Sequence, residues 1–245
     1  MKQPYLKLIL IVLLLCIPAA CSAVVIQPGA DGDGYSWSPD GLTVTITGSS
    51  KEYTLSNAIS ESITVVVDAD EVTLNGNNVP IAGIAGNPTL DLENVYINGG
   101  TNGGVFIRSK NQRYGISECR NIKNSSIVIE KNVERGYPLS GIGELYGNLD
   151  DSTSITVTSN SYTYGVQTVY GVISGGEFMV TTTAETEGGT MTYGVETAYG
   201  VISGGEFTVT SLSRYGYITC GVRYVENGGV ISGGEFTVTY ILNSR

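Results

Sequence analysis

One seven-residue block, Val172-Ile-Ser-Gly-Gly-Glu-Phe178, returns unchanged at Val201–Phe207 and again at Val230–Phe236, 29 residues apart each time (172 to 201 to 230). A second block moves with it: Tyr164-Gly165-Val166 and Tyr170-Gly171-Val172 are repeated as Tyr193-Gly194-Val195 and Tyr199-Gly200-Val201. A fixed period of this length means that each repeat is one supersecondary unit, too small to bury its own apolar face and stable only when stacked on its neighbours. A chain of 245 residues can be used as one such stack.

The content of each repeat is β-strand. Gly (33) and Tyr (16) are abundant beside Thr, Val and Ile, and no long segment after the N-terminus has helical periodicity. The unit Tyr193–Thr197, Tyr199–Ser203, Glu206–Thr210 holds three short strand-like runs, with Gly204-Gly205 as a sharp corner. Pairs of apolar residues separated by one residue form a ladder: Val72/Leu74, Val95/Ile97, Ile127/Ile129, Ile155/Val157, Phe178/Val180, Phe207/Val209 and Phe236/Val238. Alternate residues on a strand share a face, so each pair points to one side and the residue between points to the other. The expectation is an all-β fold, a right-handed parallel β-helix (β-solenoid) of about seven coils. Residues 24–70 read as an N-terminal cap and 71–245 as the helix, with irregular loops at 101–150 where Arg108, Lys110, Arg113, Arg120, Lys123, Lys131 and Arg135 collect. Asn75-Gly76-Asn77 and Asn98-Gly99-Gly100 are expected to turn equivalent corners, with stacked Asn side chains bonding to neighbouring backbone.

Trp37-Ser-Pro-Asp-Gly-Leu-Thr-Val-Thr-Ile46, Val65-Val-Val-Asp68, Val72-Thr-Leu-Asn-Gly-Asn77 and the Ile-Ser-Gly-Gly-Glu-Phe-Thr-Val-Thr units together resemble prokaryotic exported β-helix surface proteins of the pectate-lyase-like fold, adhesin-like or carbohydrate-binding in type. The resemblance covers most of the chain after its N-terminal segment. It implies the fold and leaves function open, because the residues that carry it are structural.

The first 23 residues read as a secretory signal: Lys2 and Lys7, an apolar run Leu8–Leu15, then Ala19-Ala20-Cys21-Ser22-Ala23. The run is too short for a membrane span, which takes about 20 residues. Cleavage after Ala23 predicts an extracellular or cell-surface protein. Alternatively Ile17-Pro18-Ala19-Ala20-Cys21 resembles a lipobox, which would lipidate Cys21 and anchor the chain to a membrane. Cys119 and Cys220 remain; export permits a disulfide between them, and two separate buried thiols fit the sequence equally well.

The chemistry of the sequence favours binding over catalysis. The net charge of −10 excludes nucleic acid as a partner, since that needs clustered Lys and Arg. The chain has no His, the coils from 152 onward have no Lys, and Asp150-Asp151 reads as a solvated turn, so no acid–base constellation emerges and no enzyme activity is expected. Three features remain. Tyr164, Tyr170, Tyr193 and Tyr199 form rows that would stack on sugar rings if exposed and pack between coils if buried. Glu177, Glu206 and Glu235, with Glu71 placed at an equivalent position earlier, form a carboxylate row that a calcium ion would bridge, or that solvent would screen. Thr156/Thr158, Thr208/Thr210 and Thr237/Thr239 form a Thr-x-Thr array like those of ice-binding solenoids, interrupted by Met179. Asp31-x-Asp33 is a weak match to a calcium loop, and Asn124-Ser-Ser126 is a glycosylation sequon.

The expected function is thus a cell-surface carbohydrate-binding or adhesin-like module. A structural or assembly protein of the envelope is the alternative, and a polysaccharide lyase or hydrolase a distant third. The expected partners are a polysaccharide or surface glycan and, end to end through the last coil, a second copy, unless further repeats belong beyond it. Phe236 and Val238 are expected to be the exposed end of the apolar ladder.

Overall fold

The computed structural model describes residues 23–98, 105–106, 113–131, 137–183, 190–212 and 218–241. Residues 1–22, among them Cys21 and the stretch expected to be a signal, and Arg108, Lys110 and Arg135 lie outside these residues. The described chain contains no helix and winds as a parallel β-solenoid of about seven turns.

The solenoid has three sides. Side A is a column of nine short strands running from Val24–Ile26 through Thr73–Asn75, Asp91–Glu93, Asn121–Lys123 and Asn148–Leu149 to Val172–Ile173, Val201–Ile202 and Val230–Ile231. Side B runs from Thr43–Ile46 and Ile63–Val67 through Tyr96–Asn98, Ser126–Lys131 and Ser154–Ser159 to Glu177–Thr182, Glu206–Leu212 and Glu235–Ile241. Side C comprises Arg113–Cys119, Pro138–Leu145, Tyr162–Val169, Met191–Ala198 and Ile218–Val225. Strand Pro80–Ala85 belongs to both B and C: Ile81 pairs with Ile97, and Ile84 with Ile116. The three sides therefore become distinct only after this strand.

Side B is the apolar ladder. Phe178, Phe207 and Phe236 are in register with Ile155, and Ile155 with Ile127 and Ile97. The Phe178 and Phe207 rings stack at 4.2 Å and 10°, and those of Phe207 and Phe236 at 4.7 Å and 11°. Phe207 and Val209 are buried as the register requires. One rung was misplaced. Val72/Leu74 sits on side A, where Leu74 pairs with Leu92, and the true predecessors of Ile97 on side B are Ile81 and Ile63. Sides A and B both alternate inward and outward with period two, so an apolar pair marks a strand without saying which of the two it lies on.

The core is thin because side C yields space to side B. Each Tyr-Gly-Val block points its Gly inward. A Cβ added at Gly194 would lie 2.8 Å from Cδ1 of Phe207 and 2.6 Å from the Gly221 carbonyl oxygen, and one at Gly165 would meet the Gly194 oxygen at 2.6 Å. Where sides B and C meet, the interior is polar. The buried hydroxyls of Ser159, Thr163, Thr182 and Thr192 bond in sequence, at 2.7 Å for the first pair and 2.8 Å for each of the next two.

The A–B corners follow the sequence in part. Gly176, Gly205 and Gly234 turn with φ of 96–98°, which a side chain would resist. Earlier coils turn on Asn: Asn94 and Asn124 have positive φ, Asn124 Nδ2 donates to Asn94 Oδ1, and Asn94 Nδ2 donates to Asn75 Oδ1. Asn98 is not in this ladder, since it ends a strand of side B. The sequon Asn124 thus has its amide engaged in the corner.

Within residues 24–70, Thr43–Ile46, Glu52–Leu55 and Ile63–Val67 already pair in parallel with later coils, and Tyr35–Trp37 is the antiparallel strand. Within 101–150, Arg113–Cys119, Asn121–Lys123, Ser126–Lys131 and Pro138–Leu145 are regular members of the stacks. Cys119 and Cys220 are both free. Burial pushes the Cys119 thiol up to about 12, so it stays protonated.

Candidate functional site

The outward face of side A carries a polar groove that the structure brings together from several coils. Each strand here turns an apolar residue of one register inward: Tyr53, Leu74, Leu92, Ile122 and Leu149 are buried. Their neighbours therefore point outward in two columns. One column is Glu52, Thr73, Asp91, Asn121 and Asn148; the other passes through Asn75, Glu93 and Lys123. Between them lies an open groove of about 440 Å³, lined by Glu52, Thr73, Asp91, Glu93, Asn121, Lys123 and Asn148 and by Asp150 at the corner.

Asp91 is the fixed point of the groove. Arg120 donates from Nε to Asp91 Oδ1 at 2.9 Å and from Nη2 to Asp91 Oδ2 at 2.5 Å, while Nη1 reaches Glu71 Oε2 at 2.9 Å. Asn121 Nδ2 also donates to Asp91 Oδ1, at 2.8 Å, and Asn121 Oδ1 accepts the Asn148 N–H at 2.7 Å. Partial burial would raise the Asp91 carboxyl, but hydrogen bonds from Arg120 and Asn121 and the Arg120 charge outweigh it and hold the group below the usual range. Lys123 Nζ pairs with Glu93 Oε2 at 3.3 Å. Carboxylate, amide and hydroxyl groups on successive strands about 4.8 Å apart present a regular grid of acceptors and donors to an elongated, hydroxyl-rich molecule.

The four expected tyrosines behave differently. Tyr164 and Tyr193 are buried and stack on each other at 5.4 Å and 8°, so their faces are not available to a sugar. Arg223 lies over the Tyr193 ring at 5.1 Å and pairs with Glu196 at 3.2 Å. Burial raises the Glu196 carboxyl, opposed by bonds from Gln167, Arg223 and Tyr164, and burial pushes the Tyr193 phenol up to about 12. Tyr170 and Tyr199 do stand at the surface, at the corner between sides C and A, but they too stack face to face, at 5.3 Å and 7°. Tyr146 extends this column, 4.9 Å from Tyr170, with its hydroxyl bonded to Glu144. Rings stacked along the solenoid axis turn edges and hydroxyls outward, which removes the CH–π platform that a surface row implied.

Glu177, Glu206 and Glu235 are in register and exposed, as read from the repeat. Glu71 does not belong to their row: the earlier members of that register are Ser154 and Ser126, and Glu71 pairs with Arg120. Among the described residues no group of three or more His, Cys, Asp or Glu side chains is arranged to hold a metal ion. Asp31 and Asp33 are likewise committed elsewhere, to the Trp37 N–H at 2.7 Å and to Lys51 at 2.7 Å. Asp150 accepts from Ser152 and Thr153 in a turn, as expected. The Thr-x-Thr array is outward on side B, with Met179 exposed within it.

The groove was missed in the sequence because its residues differ in type from coil to coil. Tyr146 was missed because it stands 24 and not 29 residues before Tyr170, although Tyr146-Gly147 repeats the Tyr-Gly pairs of 170–171 and 199–200. Comparison with known proteins finds no family model, no curated protein and no solved structure that matches this chain.

Proposed function

We propose that the protein is an exported, non-catalytic carbohydrate-binding or adhesin-like module of a prokaryotic cell surface, and that it holds an extended neutral glycan along the groove of side A. The groove of Asp91, Glu93, Asn121, Lys123 and Asn148 carries this reading. Carboxylates and amides fixed by their neighbours suit the hydroxyls of a sugar chain lying across successive strands. Glu52, Asp91, Glu93 and Asp150 outnumber Lys123 in the lining, which selects against polyuronates by like-charge repulsion.

The test is a glycan array followed by calorimetric titration. Neutral oligosaccharides should bind, with affinity rising with chain length, and Asn121→Ala combined with Asn148→Ala should weaken binding at least tenfold while leaving the circular dichroism unchanged. Binding that the double variant leaves intact, or no binding to any glycan, would sink the proposal. The envelope-structural alternative draws on a different observation, the tyrosine columns that close on themselves. It predicts a protein that binds no glycan.

A further inference from the structure

The groove on side A has a beginning, an end and a fixed repeat. Its first column is Glu52, Thr73, Asp91, Asn121 and Asn148, one residue from each of five successive strands. In the same register the next two coils place Val172 and Val201, whose side chains offer no hydrogen bond. The second column, through Asn75, Glu93 and Lys123, is preceded in register by Thr54 and then by Val25, which is 48 % exposed. Valine therefore bounds the polar track at both ends. Its first column spans about 19 Å from first strand to last at the ordinary strand spacing.

Within the track the polar groups are held still. Asp91 is fixed by Arg120 and Asn121, and Asn121 in turn by the Asn148 N–H. The Asn121 amide gives one N–H to Asp91 and has a second to offer. A ligand can meet every rung only if it runs straight along the stack and repeats at the strand spacing. A β-1,4-linked pyranose chain does so. Both its bonds to the linking oxygen are equatorial, so it extends as a ribbon that advances one sugar in about one strand spacing. An α-1,4-linked chain has one axial bond, curls, and leaves the column after a sugar or two.

The two columns also select among sugars. They stand two residues apart on each strand, about 6.7 Å, and bracket a floor of backbone. A ring lying on that floor directs its equatorial hydroxyls sideways, toward one column or the other. An axial hydroxyl would, on every second sugar of the ribbon, point down at peptide groups already committed to the parallel ladder. We infer, resting on the glycan-binding reading above, that the groove is a track for a β-1,4-linked glycan of all-equatorial sugars, one sugar to a coil and about five sugars long.

Calorimetric titration of the purified chain with β-1,4-linked gluco-oligosaccharides of two to seven sugars, set against α-1,4-linked chains of the same glucose, separates linkage from sugar identity. Affinity for the β-linked series should climb with each added sugar to a plateau at about five. The α-linked chains should bind at least tenfold more weakly at equal length, and a β-1,4-linked manno-oligosaccharide, with one axial hydroxyl per sugar, several-fold more weakly. Val172→Asn continues the first column by one coil beyond Asn148 and should move the plateau by one sugar. Equal or tighter binding of the α-linked or manno chains overturns the inference and leaves the groove a glycan site. So does a plateau at two or three sugars, or one that Val172→Asn leaves in place. Failure of the β-linked series while other neutral glycans bind through Asn121 and Asn148 overturns the linkage alone. Failure of every glycan removes the glycan reading itself, and this track with it.

Discussion

Replacing Phe207 by Ala tests the ladder where its geometry is most closed. The ring is 1 % exposed and lies between two others, at 4.2 Å from Phe178 and 4.7 Å from Phe236. Deleting a buried Phe side chain costs about 3–5 kcal/mol in lost transfer energy and residual cavity. The cavity here resists collapse, since strands on both sides are held at fixed spacing by their ladders. Each lost stacking contact adds about 0.5–1.5 kcal/mol. The expected loss is therefore at the upper end, about 5 kcal/mol. Phe236→Ala removes a ring stacked on one side and partly solvated on the other, and should cost about half as much. Because a solenoid is coupled mainly between neighbouring coils, the loss at Phe207 should also separate the urea melt into two transitions, the final coils unfolding first. Urea denaturation followed by circular dichroism and by tyrosine fluorescence gives both quantities. A loss below about 1 kcal/mol for Phe207→Ala, or one no larger than for Phe236→Ala, would refute the reasoning.

Further outcomes follow from other sites. Gly194→Ala forces a methyl group to 2.6 Å from the Gly221 carbonyl oxygen and should destabilise by about 3 kcal/mol in the same urea assay, against a smaller effect for Gly221→Ala, whose added methyl has the partly solvated Phe236 ring and not backbone as its nearest neighbour. Asp91 has its folded pKa lowered, so its contribution is present above the ordinary value of 3.8 and is lost as pH falls through the folded value; Asp91→Asn should flatten the acid side of a plot of melting temperature against pH. Glu196 has its folded pKa raised, so its contribution is present below the ordinary value of 4.5 and fades as pH rises through the folded one; Glu196→Gln should remove that decline. In a spectrophotometric titration Tyr164 and Tyr193 should remain protonated after solvent-exposed tyrosines have ionised near pH ~10, and ionise together with unfolding.

What could be read from the chain alone was whatever repeats. The block ending at Phe178, Phe207 and Phe236 places three strands, a glycine corner and the inward ladder, and all three appear where the period puts them. Reading failed where coils change length. Ile63, Ile81 and Ile97 are successive rungs of side B only 18 and 16 residues apart, because side C is not yet separate there, and a search tuned to longer coils took Val72/Leu74 for the missing rung. It failed again over what a row of identical residues does. Tyr170 and Tyr199 were correctly aligned, yet alignment on a parallel stack is what brings their faces together. The groove was hidden by the opposite circumstance: Glu52, Thr73, Asp91 and Asn121 occupy one column but share no residue type, and only their register reveals it.

The chain of hydroxyls from Ser159 to Thr192 gives the stack an indexing key. Sliding one coil by a single residue against the next would turn a hydroxyl into the phenylalanine ladder and leave its former partner buried and unbonded, at about 1–3 kcal/mol for each orphan. Coils can therefore be gained or lost by whole units that carry both the hydroxyl and the ring, while a shift of intermediate length jams the seam. The polar corner, small as it is, sets the increment in which such a molecule can grow.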